Sequence, residues 1–276
     1  MFVILNGKFI DEKEAVISVL DHGFLFGDGV YETLRTYGGK VWQLDEHLKR
    51  LAASAKMLKI SLPWGLKKIA SWVNGLVRKN GFKESRIRIT VTRGTNGMVF
   101  TDSKKPTILI QAFELKSSPP GIYKRGVSVV TMKMKRILPE AKTISLLPMV
   151  LAWQKIEKKK AYEAIYIDEK NYVREGTVTN VFMVKNGLVI TTGKNILSGT
   201  TRQAVIKAAG RIGIKVRQKD FTLNLLRKAD EVFITNAPRG IVPVCSVDGV
   251  KVGKGCPGLV TRKIMKAFEE YVWQNI

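Results

Sequence analysis

The sequence predicts a mixed α/β fold of the α+β kind, arranged in two domains. Its predicted strands and helices do not alternate strictly, which argues against a doubly wound parallel sheet. Residues 116–122, Lys-Ser-Ser-Pro-Pro-Gly-Ile, contain two prolines and a glycine and can continue neither kind of element. With 276 residues, 45% of them hydrophobic, the chain can bury two cores. We therefore expect an amino-terminal domain over 1–115, a linker over 116–122 and a carboxy-terminal domain over 123–276.

The elements of the amino-terminal domain follow from hydrophobic periodicity and glycine. The apolar start of the chain lacks a basic region and a cleavage site, so it predicts a first strand rather than a signal peptide. Gly38 and Gly39 separate two apolar runs and predict a hairpin. Apolar spacing of three and four residues predicts helices, and β-branched runs predict strands. The expected elements are strands at 30–37 and 41–44, helices at 45–59 and 66–78, and strands at 87–92 and 107–114.

The carboxy-terminal domain shows the same two periodicities in mixed order. Its predicted helices cover 149–160, 201–212 and 259–272. Its predicted strands cover 127–132, 164–168, 181–184, 188–192, 215–217, 231–236 and 242–247.

The formal charge of +24, from 47 basic and 23 acidic residues, raises the question of a nucleic-acid partner. The basic residues are spread along the chain, and no aromatic ladder is interleaved with them. A lysine-rich solvated surface explains this composition better, so we expect no nucleic-acid partner. A basic nucleic-acid-binding protein is kept as the alternative of a different class. No run of about 18 uncharged apolar residues is present, so we expect no membrane-spanning helix.

Cysteine and histidine are both scarce. Cys245 and Cys256 are too few for a disulfide framework, which favours a reducing cytoplasm. His22 and His47 are the only histidines, so we expect no metal site.

Two segments carry the chemistry that the sequence indicates most clearly. Lys142 opens the stretch Lys-Thr-Ile-Ser-Leu-Leu-Pro, and Glu175 opens Glu-Gly-Thr-Val-Thr-Asn in an expected polar turn. A lysine amine can form a Schiff base with a carbonyl, and a carboxylate can keep a pyridinium nitrogen protonated. These are the two protein groups that pyridoxal phosphate chemistry needs.

Three further segments contain candidate anion or pocket residues. In Glu-His-Leu-Lys-Arg, His47 and Arg50 share one helical face, and Arg50 is either a surface charge or a bidentate phosphate ligand. Thr200 and Thr201 begin a helix, either as an ordinary cap or as an anion site. The turn at 235–240 connects two apolar strands, as loops at pocket mouths do.

In combination, these motifs resemble the class IV pyridoxal-phosphate aminotransferases. That family includes branched-chain amino acid aminotransferases, D-amino acid aminotransferases and aminodeoxychorismate lyases. The resemblance runs from Asp21 to about Pro243 in the family's order. The matching segments are Gly27-Asp-Gly-Val-Tyr-Glu, Glu46-His-Leu-Lys-Arg, Lys142 with Leu147-Pro-Met-Val-Leu-Ala, Glu175-Gly with Asn180-Val-Phe, Ile196-Leu-Ser-Gly-Thr-Thr-Arg and Glu231-Val-Phe-Ile-Thr-Asn.

The resemblance implies a two-domain enzyme of fold type IV, with its site between the domains and near a homodimer interface. It implies pyridoxal 5'-phosphate as the cofactor, held by Lys142 through a Schiff base. Lys142 would then move the proton between substrate and cofactor, while Glu175 would pair with the pyridine nitrogen. The remaining implied cofactor contacts are Arg50, Thr200 and Thr201 at the phosphate, Leu197 on the ring face, and Thr179 and Asn180 near the phenolic oxygen.

The substrate pocket is where the chain departs from the family's subgroups. The resemblance places Tyr31 in the pocket. Where D-amino acid enzymes carry an Arg and a His two residues apart, this chain has Met98 and Phe100. An apolar wall of this kind favours an amino acid with an apolar or branched side chain.

The candidate carboxylate partners in the pocket are Arg35 and Arg239. Thr33 and the pair Asn236-Ala237 resemble the lyases more than the branched-chain enzymes. We expect transfer of an amino group between an apolar amino acid and a 2-oxo acid such as 2-oxoglutarate. Lyase action on aminodeoxychorismate and D-amino acid transamination are the alternatives.

Overall fold

The computed structural model describes residues 1–100, 105–254 and 256–276 of the chain. The chain divides into two compact units. The first contains residues 1–116, 141–146 and 276, and the second contains 117–140 and 147–275.

Lys142 belongs to the first unit, whereas the sequence-based prediction assigned it to the carboxy-terminal domain. The reason is backbone pairing, because the segment 142–144 runs alongside residues 29–31. Tyr31 N donates to Lys142 O at 2.9 Å, and Ile144 N donates to Gly29 O at 3.0 Å. Two hydrogen bonds and a bridge between Val30 and Thr143 thus fix the lysine's segment within this unit.

The first unit is one antiparallel sheet with two long helices. Its strands lie in the order β2-β1-β6-β5-β3-β4. The strands are β1 (Phe2–Leu5), β2 (Lys8–Asp11), β3 (Gly29–Tyr37), β4 (Lys40–Val41), β5 (Ser85–Thr92) and β6 (Thr107–Glu114). The helices are α1 (His22–Phe26), α2 (Leu44–Met57) and α3 (Leu66–Asn80).

The sheet of the first unit has one apolar and one polar face because side chains alternate along a strand. On β3, Val30 and Leu34 join the buried core formed with α2 and α3. Tyr31, Thr33 and Arg35 occupy the alternate positions and therefore lie on the opposite face. This second face carries residues that the sequence predicts for the site.

Most predicted elements of this unit are confirmed, and the strand at 107–114 has the same bounds as predicted. The predicted strand at 41–44 is wrong beyond Val41. Gln43 has a left-handed φ of 52°, which ends the extended chain, and Leu44 then begins α2.

The second unit is built on a nine-stranded sheet in the order β12-β11-β10-β13-β14-β7-β8-β9, with β15 paired to β14. Three pairs are parallel, namely β11 with β12, β14 with β7, and β7 with β8. The strands are β7 (Val127–Lys133), β8 (Glu163–Ile167), β9 (Val173–Gly176), β10 (Asn180–Lys185), β11 (Leu188–Thr191), β12 (Val216–Gln218), β13 (Glu231–Asn236), β14 (Gly240–Val247) and β15 (Val250–Lys251). The helices are α4 (Gly121–Lys124), α5 (Leu147–Lys158), α6 (Thr200–Arg211), α7 (Leu223–Arg227) and α8 (Leu259–Gln274).

The core of the second unit forms on both sides of this sheet. Val129, Ile165 and Ile234 belong to one buried cluster. Phe182 and Phe233 stack with ring centroids 4.7 Å apart. The mixed strand directions confirm the predicted mixed α/β class. Among the described residues, no helix has both the length and the hydropathy to cross a bilayer.

Candidate active site

The amine of Lys142 lies on the polar face of the first unit's sheet. Its Nζ is 4.4 Å from the centroid of the Tyr31 ring. Its backbone N donates to Ser54 Oγ of α2 at 3.1 Å, in addition to the strand-like bonds with β3. The structure therefore brings Lys142 and Tyr31 together, with the lysine's backbone held on two sides.

Arg88, which the sequence analysis missed, also lies beside the Tyr31 ring. Its guanidinium carbon is 4.1 Å from the Tyr31 ring centroid, and its Nε donates to Thr90 Oγ1 at 3.2 Å. Burial lowers the pKa of Arg88, and Tyr31 partly offsets that effect. Side chains alternate between the two faces along β5, and Arg88 lies opposite Thr33 of β3, so both side chains share one sheet face. This alternation could have indicated Arg88 as a site residue.

Glu32 forms a buried ionic group with two side chains of α2. Arg50 donates to it twice, from Nε to Oε1 and from Nη2 to Oε2, each at 2.7 Å. His47 Nδ1 lies 2.7 Å from Glu32 Oε2. Burial alone would raise the pKa of Glu32, but Arg50 and then His47 lower it to about 2.

The pKa of His47 is lowered as well, but here burial is the cause and Glu32 opposes it. Burial lowers the pKa of His47, and the attraction of Glu32 offsets this only in part, so the imidazole is mainly neutral at pH 7. The fork of Arg50 points inward, as a phosphate ligand's would, yet two of its nitrogens bind Glu32. A contact between Arg50 and the cofactor phosphate stays a prediction.

The other residues of this unit that the sequence predicts for the substrate pocket fall into two groups, Arg35 beside Tyr37 and the segment that contains Met98 and Phe100. Arg35 donates from Nε to Thr36 O at 3.0 Å and lies 3.9 Å from the centroid of the Tyr37 ring. Met98 is 73% exposed. Phe100 packs against His22, with ring centroids 5.6 Å apart.

In the second unit, Glu175 is a buried carboxylate held by two donors. Arg136 Nη1 donates to its Oε1 at 2.6 Å, and the backbone N of Leu197 donates to its Oε2 at 2.9 Å. Glu175 lies in β9 rather than in the expected turn, because residues 173–176 pair with β8. Arg136 is a partner that the sequence analysis missed, and no periodicity marks it.

Thr179 and Asn180 follow Glu175, and Asn180 helps to fix the loop before α6. Asn180 Nδ2 donates to Leu197 O at 2.9 Å. A Cβ at Gly199 would collide with Asn180 Oδ1, so glycine is needed for this close approach. Thr179 Oγ1 donates to Glu163 Oε2 at 3.0 Å, and burial raises the pKa of Glu163 despite such bonds.

The start of α6 has the features of an anion site. Gly199 is its N-cap and supplies no side-chain hydrogen bond to the helix. Within the described part of the chain, Thr201 Oγ1 is buried and has no hydrogen-bond partner. Unpaired backbone N–H groups and the helix dipole attract a phosphate at such a position. The residues present therefore fit the phosphate of the expected cofactor.

Ala237 and Arg239 lie at the tip of the hairpin between β13 and β14. The guanidinium carbon of Arg239 is 5.0 Å from the Tyr162 ring centroid, and Tyr123 Oη donates to Arg239 O at 3.1 Å. Among residues 1–100, 105–254 and 256–276, no group of three His, Cys, Asp or Glu side chains is suited to a metal ion.

Comparison with known proteins identifies the family. The family model for Amino-transferase class IV matches residues 29–247. A candidate branched-chain-amino-acid aminotransferase of Methanocaldococcus jannaschii is 39% identical, covering 98% of this chain and 96% of its own length. A D-alanine aminotransferase of Listeria monocytogenes is 33% identical, covering 99% of this chain and 97% of its own length.

Solved structures show the same fold. The Escherichia coli branched-chain amino acid aminotransferase superposes with a TM-score of 0.92 at 29% identity, covering 98% of this chain and 94% of that one. Another branched-chain amino acid aminotransferase, solved with pyridoxamine 5'-phosphate, superposes with a TM-score of 0.93 at 28% identity. That match covers 99% of this chain and 94% of the other. The chain belongs to the class IV aminotransferases, pyridoxal-phosphate enzymes of fold type IV, and is a transaminase.

Proposed function

We propose that this transaminase moves an amino group between an amino acid with an apolar, branched side chain and a 2-oxo acid such as 2-oxoglutarate. The observation that carries the proposal is the Lys142 amine beside Tyr31 and Arg88 on one sheet face. An amine is the required nucleophile, an aromatic ring suits an aliphatic substrate, and a guanidinium suits a carboxylate.

The cofactor would be held by the groups that the family resemblance implies. Lys142 would bind it covalently, Glu175 would accept from the pyridine nitrogen, and Leu197 would pack on the ring. The start of α6 would bind the phosphate through Thr200 and Thr201. Bound pyridoxal phosphate supplies an electron sink for the carbon that loses its proton.

The protein's own groups would then perform two tasks. Lys142, once its amine is free, would carry the proton at the substrate carbon. Arg136, hydrogen-bonded to Glu175 at 2.6 Å, would keep that carboxylate oriented toward the ring nitrogen. Asn180 and Thr179 would support the adjoining loop.

The carboxylate of the 2-oxo acid requires a cation, because an unpaired carboxylate in a partly apolar pocket is costly. Arg88 joins Arg35 and Arg239 as a candidate, and its position beside Tyr31 favours it. The resemblance assigns Met98, Thr33 and Ala237 to the same pocket. Met98 and Thr33 would contact the side chain of the amino donor, and Ala237 its carboxylate end.

A second candidate function is transamination of D-amino acids. The observation that favours it is the 33% identity to a D-alanine aminotransferase over nearly the whole chain. The 39% identity to a candidate branched-chain enzyme and the methionine, rather than a cation, at position 98 favour our first choice.

A substrate panel tests the choice directly. The protein loaded with pyridoxal phosphate is assayed with L-leucine, L-isoleucine, L-valine and D-alanine, each with 2-oxoglutarate or pyruvate, and with aminodeoxychorismate alone. We expect the highest kcat/KM for a branched L-amino acid with 2-oxoglutarate. A preference for D-alanine, or pyruvate release from aminodeoxychorismate, would replace our first choice.

A chemical test addresses Lys142 separately from the substrate. Borohydride treatment of the loaded protein should fix the cofactor's mass on the peptide that contains Lys142. Lys142→Ala should lose both this adduct and turnover. An adduct on another lysine would show that our assignment is mistaken.

We also propose a homodimer located in the cytoplasm. In the second unit, α5 exposes Leu147, Val150 and Trp153, at 66%, 50% and 44%. An exposed apolar face of this kind marks an interaction surface, and the partner that we propose for it is a second copy of the chain. Light scattering should give twice the chain mass of 30.9 kDa, and Trp153→Glu should shift it toward the monomer.

A further inference from the structure

A cavity of about 450 Å³ opens in the second unit beside the first turn of α6. Its lining includes Arg202, Gln203 and Gln218. It is separate from the proposed cofactor groups of the same unit. The lining contains none of the residues that we assign to the cofactor there, namely Glu175, Thr179, Asn180, Leu197, Thr200 and Thr201.

Arg202 is a buried cation in the wall of this cavity, with only 2% of its surface exposed. In the described part of the chain, its guanidinium donates only to neutral acceptors. Nε donates to Thr191 Oγ1 at 3.2 Å, and Nη2 donates to Thr192 O and to Gln218 Oε1, each at 2.9 Å.

No carboxylate among the described residues offsets this charge. Burial lowers the pKa of Arg202 to about 10, with no neighbouring anion to oppose the change. The side chain nevertheless remains charged at pH 7. By contrast, the buried guanidinium of Arg93 is paired with Asp28, as buried charges usually are. Within residues 1–100, 105–254 and 256–276, Arg202 is thus a buried positive charge without a counter-ion.

We propose that this cavity binds a small oxyanion, a phosphate or a carboxylate, against the guanidinium of Arg202. Ser198 and Lys194 also line the cavity and can donate hydrogen bonds to such a ligand. The cavity adjoins the start of α6, where the helix dipole favours negative charge. An oxyanion would supply the missing counter-ion, which is the physical reason for its binding.

Glu140 is an acidic residue in the lining of the same cavity, so its removal tests whether the bound ligand is negatively charged. Its side chain is exposed, so its repulsion of an anion is partly screened by water. Removing that charge should tighten anion binding by a factor of roughly 2–5, as expected for one screened charge.

Because Arg202 directly follows Thr201, a bound oxyanion would also stabilise the helix start. The site does not depend on the proposed substrate or on turnover. Its test therefore measures thermal stability, and its failure leaves the proposed function untouched.

The experiment titrates inorganic phosphate into the protein loaded with pyridoxal phosphate, at constant ionic strength balanced with chloride. Acetate is titrated in a second arm, which distinguishes a phosphate from a carboxylate source. We expect a saturable rise in Tm of roughly 2–5 °C with at least one of the two oxyanions. Glu140→Gln should reach the same rise at a lower concentration.

Gln218→Glu is the sharpest variant, because it places a carboxylate where Oε1 already accepts from Arg202 Nη2 at 2.9 Å. It should raise Tm without added oxyanion and remove most of the further rise. Arg211→Gln is the matched control, since it removes the same charge from the same helix outside the cavity lining. It should respond to oxyanions as the unchanged protein does.

Three results would overturn the proposal. The first is the lack of a saturable rise with either oxyanion. The second is an equal rise in Gln218→Glu and in the unchanged protein. The third is a phosphate effect that appears only when the titration is repeated on the cofactor-free protein, which would assign the anion to the cofactor's own phosphate site.

Discussion

Replacement of Glu32 by glutamine tests the buried ionic group of the first unit. The carboxylate is fully buried and accepts two hydrogen bonds of 2.7 Å from Arg50, with His47 Nδ1 at the same distance. Glu32→Gln keeps the shape of the side chain and removes its charge. Arg50 then loses its bidentate counter-ion, and one of its donors faces an amide N–H₂ group.

The magnitude follows from the shift in pKa. The pKa of Glu32 falls from its ordinary value of 4.5 to about 2 in the folded protein. Because one pKa unit corresponds to about 1.4 kcal/mol, ionised Glu32 contributes about 3 kcal/mol to the free energy of unfolding. Its folded pKa is depressed, so this contribution is complete above pH 4.5 and is lost as the pH falls toward 2.

Urea unfolding of both proteins at a series of pH values measures this effect. We expect Glu32→Gln to lower the free energy of unfolding by about 3 kcal/mol near pH 7, and by progressively less below pH 4.5. The control is Glu46→Gln, an exposed carboxylate on α2, the helix that carries Arg50 and His47, with an effect below about 0.5 kcal/mol. A loss under about 1 kcal/mol at pH 7, or one that does not vary with pH, would refute the reasoning.

Four further substitutions test the proposed site. Glu175→Gln should retain the cofactor but slow single-turnover chemistry by about 100-fold, because an amide cannot hold the pyridinium charge; unchanged turnover would leave Glu175 a structural role only. Arg88→Ala and Arg239→Ala test which arginine binds the carboxylate of 2-oxoglutarate. Loss of the binding arginine should raise KM for 2-oxoglutarate by about tenfold or more, with a smaller change in KM for the amino donor. Equal changes for both substrates would contradict a carboxylate contact. Thr201→Val should weaken pyridoxal phosphate binding to the cofactor-free protein by about tenfold in a fluorescence titration, because a hydroxyl donor is lost; an unchanged Kd would remove Thr201 from the phosphate site.

Local patterns predicted the long elements well but missed several of the short ones. The strand at 107–114 and the helix beginning at Leu66 were found from alternation and from three- and four-residue spacing. The helices α1, α4 and α7 and the strand β9 contain only four or five residues each. Such segments are too short to show a period, so their structure depends on what they pack against.

The candidate site was predicted as a set of chemical groups rather than as a set of contacts. Lys142, Glu175 and the start of α6 were found because their motifs lie in a recognisable order. Arg88 was missed because its alternation on β5 places it beside Tyr31 only once the pairing of β5 with β3 is known. Arg136 was missed because a loop residue next to a carboxylate leaves no local pattern.

The sequence by itself determined the family, the mixed α/β class and the types of side chain available for chemistry. These properties depend on residue identity and on spacing along the chain. Only the tertiary structure decided that Arg50 pairs with Glu32 and that Lys142 belongs to the first unit. It also decided that Arg202 is buried without a counter-ion among the described residues. The partner of a charge depends on which distant segments meet, and burial, which sets the energy of that charge, arises only when the chain is folded.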